Sequence, residues 1–248
     1  MAEAHAKLGQ PTEANDVIAE ARSCVPADFV FMQTGLSLAS GWAMAASGHL
    51  SEAVAGVQQA ARLARDRGQP THELACIQAA AQWGATSGAA RARELAEALS
   101  LPLADAVVLH AEALLAGDGE GLLAASVKYR GIGDRAAAAD AAAQASVAFA
   151  DSQQQRRGLY AAALARELAD ECGGLCTPAL RTPVGLKLSG RQRDVVELVV
   201  AGLSNRQIAG QLVMSVRTVE GHIYRACQRV GAQSREEVAS IIRSGPGV

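Results

Sequence analysis

The sequence predicts an all-α protein. A helical solenoid spans residues 1–171, a linker 172–186, and a compact four-helix unit 187–248. Three observations lead to this reading. The chain is 50% hydrophobic but only 3% aromatic, so its core is built mainly from Ala, Leu and Val. Ala has the best helix propensity, and small side chains let helices approach closely. Glycine turns recur at a regular interval in the first part, and Ser-x-x-Glu/Gln helix starts recur in the last. The Val-, Ile-, Tyr- and Phe-rich alternating runs that mark strands are missing.

The solenoid is read from its turns. Gly9-Gln-Pro-Thr-Glu13-Ala14 returns as Gly48-His-Leu-Ser-Glu52-Ala53, and more weakly as Gly84-Ala-Thr-Ser-Gly88-Ala89. Each places Gly just past one helix. The first two offer a hydroxyl, Thr12 or Ser51, as the expected N-cap of the next. The intervals fall between 33 and 39 residues, the length of a helix-turn-helix solenoid repeat. Gly117-Asp-Gly-Glu120 and Gly131-Ile-Gly-Asp134 mark further expected breaks. Ala53, Val57, Ala60, Ala61 and Ala64 line one helical face. Trp42 and Trp83 are expected to wedge between helices in the core. This part resembles tetratricopeptide-like arrays, which bind peptides or connect domains, although the aromatic consensus is mostly absent. The first helix has no polar cap, and solenoids need capping repeats, so an earlier part of the array is expected.

Charge is unevenly spread. The formal net charge is -2, yet residues 186–248 carry nine Lys and Arg against five acids, leaving the remainder acidic. A basic terminal unit on an acidic body fits nucleic-acid binding by the former. The five cysteines are odd in number and irregularly spaced, which points to reduced thiols in a cytoplasm. Cys172 and Cys176 have no His or second Cys pair nearby, so no metal is expected. No apolar run reaches the roughly 18–20 residues of a membrane span. His5, His49, His72, His110 and His222 are scattered, and no catalytic constellation emerges, so the chain is not read as an enzyme. No Gly-x-x-x-x-Gly-Lys-Ser/Thr loop occurs, and no cofactor is expected. Gly173, Gly174, Pro178, Pro183 and Gly185 cannot continue a helix and mark the linker.

The last unit is read from capping chemistry. Ser189–Gln192, Ser204–Gln207 and Ser234–Glu237 are capping boxes, and Ser215 caps without a reciprocal partner. They predict helices over 190–201, 205–212, 216–230 and 235–243. Val195, Val196, Leu198 and Val199 are expected to meet Ile208, Ala209 and Leu212 of the second helix and Val219, Ile223, Ala226 and Val230 of the third. The connection Val213-Met214-Ser215 has the length that a helix-turn-helix uses.

These residues resemble the LuxR-type (GerE-type) DNA-binding domain of bacterial transcription regulators. The matching marks are Leu188-Ser189, Arg191, Gln192, Asp194-Val195-Val196, Gly202-Leu203-Ser204-Asn205, Ile208-Ala209, Leu212, Ser215, Thr218-Val219, His222, Val230-Gly231 and Ser234-Arg235. The resemblance implies four helices, the third a recognition helix in the DNA major groove and the fourth a contributor to dimerisation. It puts Ser204, Asn205 and Arg206 next to a phosphate, where a positive helix end favours an anion. Arg217, Thr218, Gly221 and Arg225 share the outward face of the third helix. Arg217 and Thr218 are expected in the groove, Arg225 and Arg229 on phosphate, and His222 in a packing or phosphate role. Two residues depart from the pattern. Glu220 stands where many members carry Lys, and would repel phosphate or accept from cytosine N4. Gly221 weakens the helix by about 1 kcal/mol relative to Ala. Val238, Ile241 and Ile242 form an apolar edge for a second copy or for the first helix, with Val238 the one that leans towards self-packing.

The whole arrangement is similar to the C-terminal part of the large ATP-dependent, maltose-activator-like LuxR regulators. Expected partners are double-stranded DNA, a second copy on that DNA, and a protein on the helical repeats, with no membrane. The alternative is a protein-interaction scaffold whose helix-turn-helix unit binds a protein instead of DNA. Region four of a sigma factor is also trihelical, but the aromatic promoter-melting residues it would need upstream are missing.

Overall fold

The computed structural model describes residues 1–24, 30–181, 190–230 and 234–243, the side chains of 30, 31, 228–230 and 240–243 excepted. The described residues form fourteen helices and no strand. Ten build the array: α1 (Ala2–Lys7), α2 (Pro11–Cys24), α3 (Val30–Ala46), α4 (Leu50–Asp66), α5 (Pro70–Gln82), α6 (Ala89–Leu99), α7 (Pro102–Ala116), α8 (Gly119–Gly131), α9 (Arg135–Asp151) and α10 (Gln155–Glu171). Four build the terminal unit: α11 (Gly190–Val200), α12 (Asn205–Gln211), α13 (Val216–Val230) and α14 (Arg235–Arg243).

In the array each helix from α1 to α10 packs on its successor, most thinly across α5–α6; α1 also packs on α3, α3 on α5, and α5 on α7 and α9. Stacked helix pairs give that pattern. Gly9, Gly48 and Gly84 all take left-handed backbone, with φ of 74°, 87° and 86°. The predicted turns are therefore helix ends that favour a residue without Cβ. Trp42 and Trp83 are both buried and meet edge-to-face, their centroids 5.0 Å apart. Helix α9 is buried almost all round by its alanines, as a central helix must be.

Two expectations need correction. Thr12 and Ser51 are not N-caps. Helix α2 starts one residue earlier at Pro11, and α4 starts at Leu50 after His49, which makes no side-chain cap bond. Helix α8 ends at Gly131 and Gly133 takes the left-handed turn at φ 87°, so the chain breaks within the expected 131–134 turn. Residues 172–181 are not a free linker. The Cys176 amide donates to the Lys7 carbonyl at 2.7 Å, and the buried Thr177 hydroxyl donates to Asp140. Their polar groups satisfy the array, which fixes the segment against it.

Asp140 and His110 are both fully buried. Burial pushes Asp140 up to about 7, against hydrogen bonds from Thr177 and Gln82. Burial brings His110 down to about 4, against its bond to Gln144. The unfolded chain ionises Asp140 near 3.8, so its stabilisation of the fold is lost as pH rises from there to about 7. His110 works in the opposite sense: its stabilisation is full above 6.5 and is lost as pH falls to about 4. The two slopes oppose one another between these limits. Denaturant unfolding of the wild type and Asp140→Asn from pH 4 to 7 should separate them. The stability difference, variant minus wild type, should rise by up to about 1.4 kcal/mol per pH unit; a constant difference would contradict the assignment.

Candidate nucleic-acid interface

The terminal unit has its own apolar core. Val195, Val196, Leu198 and Val199 of α11 pack with Ile208, Ala209 and Leu212, with Val219, Ile223, Ala226 and Cys227 of α13, and with Val238 and Ala239 of α14. Helix α12 opens with a complete capping box. The Ser204 Oγ accepts from the Gln207 amide, and the Gln207 side chain accepts from the Ser204 amide at 2.8 Å. Ser215 Oγ accepts from the Thr218 amide at 3.0 Å, and the two hydroxyls lie 2.7 Å apart. Ser234 Oγ accepts from the Glu237 amide at 3.1 Å. Between α12 and α13 the chain turns through Val213, an exposed β-branched residue at φ 51°. That conformation is disfavoured for such a side chain, and it sets the angle at which α13 leaves α12.

Helix α13 is strongly amphipathic. Val219, Ile223 and Ala226 face the core, while Arg217, Thr218, Glu220, Tyr224 and Arg225 are exposed. Arg206 of α12 is exposed as well. The structure thus brings three arginines and a carboxylate onto the surface of one helix-turn-helix. The Arg229, Ile241 and Ile242 side chains lie outside the described residues. Ser204 spends its hydroxyl on the cap, and Asn205 accepts through Oδ1 from Arg235, which also donates to the Leu203 carbonyl. Arg235 therefore ties α14 to the start of α12, a role the sequence did not reveal. Val238 is fully buried in the core of its own chain. It cannot offer its side chain to a second copy, so its place among the dimerisation residues is corrected. His222 is half-buried, and its Nδ1 has no hydrogen-bond partner. Desolvation, then Arg225 and Arg191, hold it below 6.5. That environment disfavours its charged form. Tyr224, 66% exposed beside Arg225, was not singled out from sequence; a lone aromatic on an exposed helix face was its signal.

The unit docks on the array through α11. Asp194 Oδ1 accepts from the Leu50 amide at 3.1 Å, and its Oδ2 accepts from the Ser51 hydroxyl at 2.9 Å. A carboxylate of one unit thus caps the helix α4 of the other, where His49 makes no side-chain cap. Burial pushes Asp194 up, while Ser51 and Arg191 pull it back. Nearby, Arg181 donates to the Ala46 carbonyl and lies 3.7 Å from Glu197. Gly48 leaves room for that carboxylate: a Cβ there would stand 3.2 Å from Glu197 Oε2. The contact uses a face of α11 and Gln211 at the end of α12, 3.3 Å from His49, and leaves the exposed residues of α13 uncovered.

A family model described as bacterial regulatory proteins, luxR family, matches residues 186–242. Spore germination protein GerE of Bacillus subtilis is 37% identical over 59 residues, which cover 23% of this chain and 80% of that protein. The chain belongs to the LuxR family. Response regulator Rre1 of Synechocystis is 37% identical to it over 76 residues, 31% of this chain. The chain spans only 32% of the length of Rre1. No solved structure matches it. The LuxR-type domain supports a DNA-binding transcriptional regulator, and no helix among the described residues is long and apolar enough to cross a membrane.

Gly221 sits in the interior of α13, and a Cβ added there meets only Arg225 Nη2, at an ordinary 3.6 Å. Gly221→Ala should therefore stabilise the LuxR-type domain by up to about 1 kcal/mol. Thermal unfolding of the full chain checks this, and a lowered midpoint would show that the glycine is needed for packing.

Proposed function

We propose that this chain is a transcriptional regulator that places α13 in the major groove and holds the helical array as an arm on the opposite side of the domain. One observation carries the reading: the surface bearing Arg206, Arg217, Thr218 and Arg225 is exposed while α11 is docked on α4. The docked arm thus leaves these side chains uncovered.

In this reading Arg217 and Thr218, at the start of α13, meet base edges, and Arg206 and Arg225 grip phosphates, with Arg229 continuing that row. Phosphate contacts give affinity and salt dependence; base contacts give sequence preference. Thr218 shares its hydroxyl with Ser215, so its methyl is the part best placed for a thymine. Glu220 lies among these cations and either accepts from cytosine N4 or weakens the whole contact. A homodimer on DNA would use α14, through Ile241 and Ile242. The array is then the signal-receiving or protein-binding part. A protein-binding role for the helix-turn-helix itself is favoured only by Glu220 and Gly221.

Fluorescence anisotropy of the full chain on promoter DNA from its own locus, across a salt series, tests this. Log affinity should fall steeply with log salt. Arg225→Ala should weaken binding to all sequences and flatten that slope by about one unit. Arg217→Ala should erase the preference over random DNA. Glu220→Lys should raise affinity and lower specificity. Failure of the wild type and of Glu220→Lys to bind any DNA would favour the protein-binding reading.

A further inference from the structure

A cavity of about 400 Å³ lies where the array meets the LuxR-type domain. Its size is within the roughly 300–1,000 Å³ of small-molecule sites. The ends of α5, α7 and α9 line it with α8, and Arg193 of α11 adds a wall from the other unit. Most of its polar groups are spoken for. The Gln82 amide donates to Asp140 at 2.8 Å, and the Gln144 amide donates to the Ala81 and Gln82 carbonyls. The Ser152 hydroxyl donates to the carbonyls of Ala148 and Phe149.

Two lining side chains differ. Trp83 Nε1 and Arg193 Nε are buried donors with no hydrogen-bond partner. They come from opposite sides of the junction. The benzo edge of Trp83 is committed to Gly41, where a Cβ would meet Cη2 at 2.9 Å, and its pyrrole end lies at the other end of the ring. The Arg193 guanidinium reaches the turn after Trp83: its Nη1 lies 3.8 Å from a Cβ position on Gly84. A buried donor left without an acceptor costs about 1–3 kcal/mol, and both of these donors belong to side chains that line the one cavity.

We propose that this cavity binds a small organic monocarboxylate with an apolar body, its carboxylate accepting from Trp83 Nε1 and Arg193 Nε and its body lying against Leu114, Leu122 and Val147. The Arg193 guanidinium also faces Glu197 and Asp194 of its own helix, so it favours a singly charged partner over a more highly charged one. Asp151 in the lining disfavours a dianion. The apolar walls favour a carbon chain or ring over a bare inorganic ion. Because Arg193 belongs to the LuxR-type domain and Trp83 to the array, the ligand touches both and stabilises their docking. The binding site stands without any assumption about DNA; only its regulatory consequence rests on the proposed function.

Calorimetric titration of the full chain with hexanoate and phenylacetate tests the site, with hexanamide and inorganic phosphate as comparators. At least one carboxylate should bind saturably, ten times or more tighter than either comparator. Arg193→Met should weaken it at least tenfold and Trp83→Phe about fivefold, as loss of a charged and a neutral hydrogen bond requires. Wild-type tryptophan fluorescence gives a readout independent of the variants: the carboxylate should shift the emission and hexanamide should not. The proposal is overturned if neither carboxylate binds up to millimolar concentration, if a comparator binds as tightly, or if neither substitution changes the affinity.

Discussion

One carboxylate joins the two halves of this molecule. The first amides of an α-helix have no partner within the helix, and α4 begins at Leu50 without a side-chain cap of its own. Asp194 supplies that cap from α11, taking the Leu50 amide and the Ser51 hydroxyl together. A cap of this kind contributes about 0.5–2 kcal/mol. Asp194 is itself fully buried, so the bond works in both directions: α4 needs an acceptor, and a buried carboxylate needs donors. Glu197 and Arg181 extend the contact around the same turn.

The position of that bond decides what each surface of the LuxR-type domain can do. Helix α11 presents its core face to Ile208 and Val219 and another face to the array, so α13 keeps its cationic side open. The junction is also where a cavity forms, because α11 brings Arg193 against the turn that ends α5. A docked arm that leaves the cationic side of α13 exposed differs from one that covers it.

Much of this was legible in the sequence. Three of the four helix starts of the LuxR-type domain follow from Ser204, Ser215 and Ser234, because capping is local chemistry between neighbours. Ser189 lies outside the described residues. The apolar steps of α13 gave its buried face for the same reason. The array was visible in its glycines, since Gly9, Gly48 and Gly84 occupy a backbone region that other residues avoid. What was not legible depends on distant partners. Ser51 looked like an N-cap because Ser before Glu-Ala has that signature; only the fold shows it serving Asp194, 143 positions away. Thr177 sat in a Gly- and Pro-rich stretch that read as linker, yet it answers a buried Asp140 on α9. Val238 stood on an edge that could face a second copy or its own first helix, because periodicity alone cannot say which neighbour covers an apolar stripe; the fold buries it in its own core.

The most direct measurement is amide hydrogen exchange at Leu50 in the full chain, wild type against Asp194→Ala, followed by NMR. If Asp194 caps α4, the Leu50 amide exchanges slowly in the wild type and fast in the variant, while the amides of Val195 and Leu198 stay protected. Equal exchange at Leu50 in both proteins would mean that the two halves do not depend on this bond.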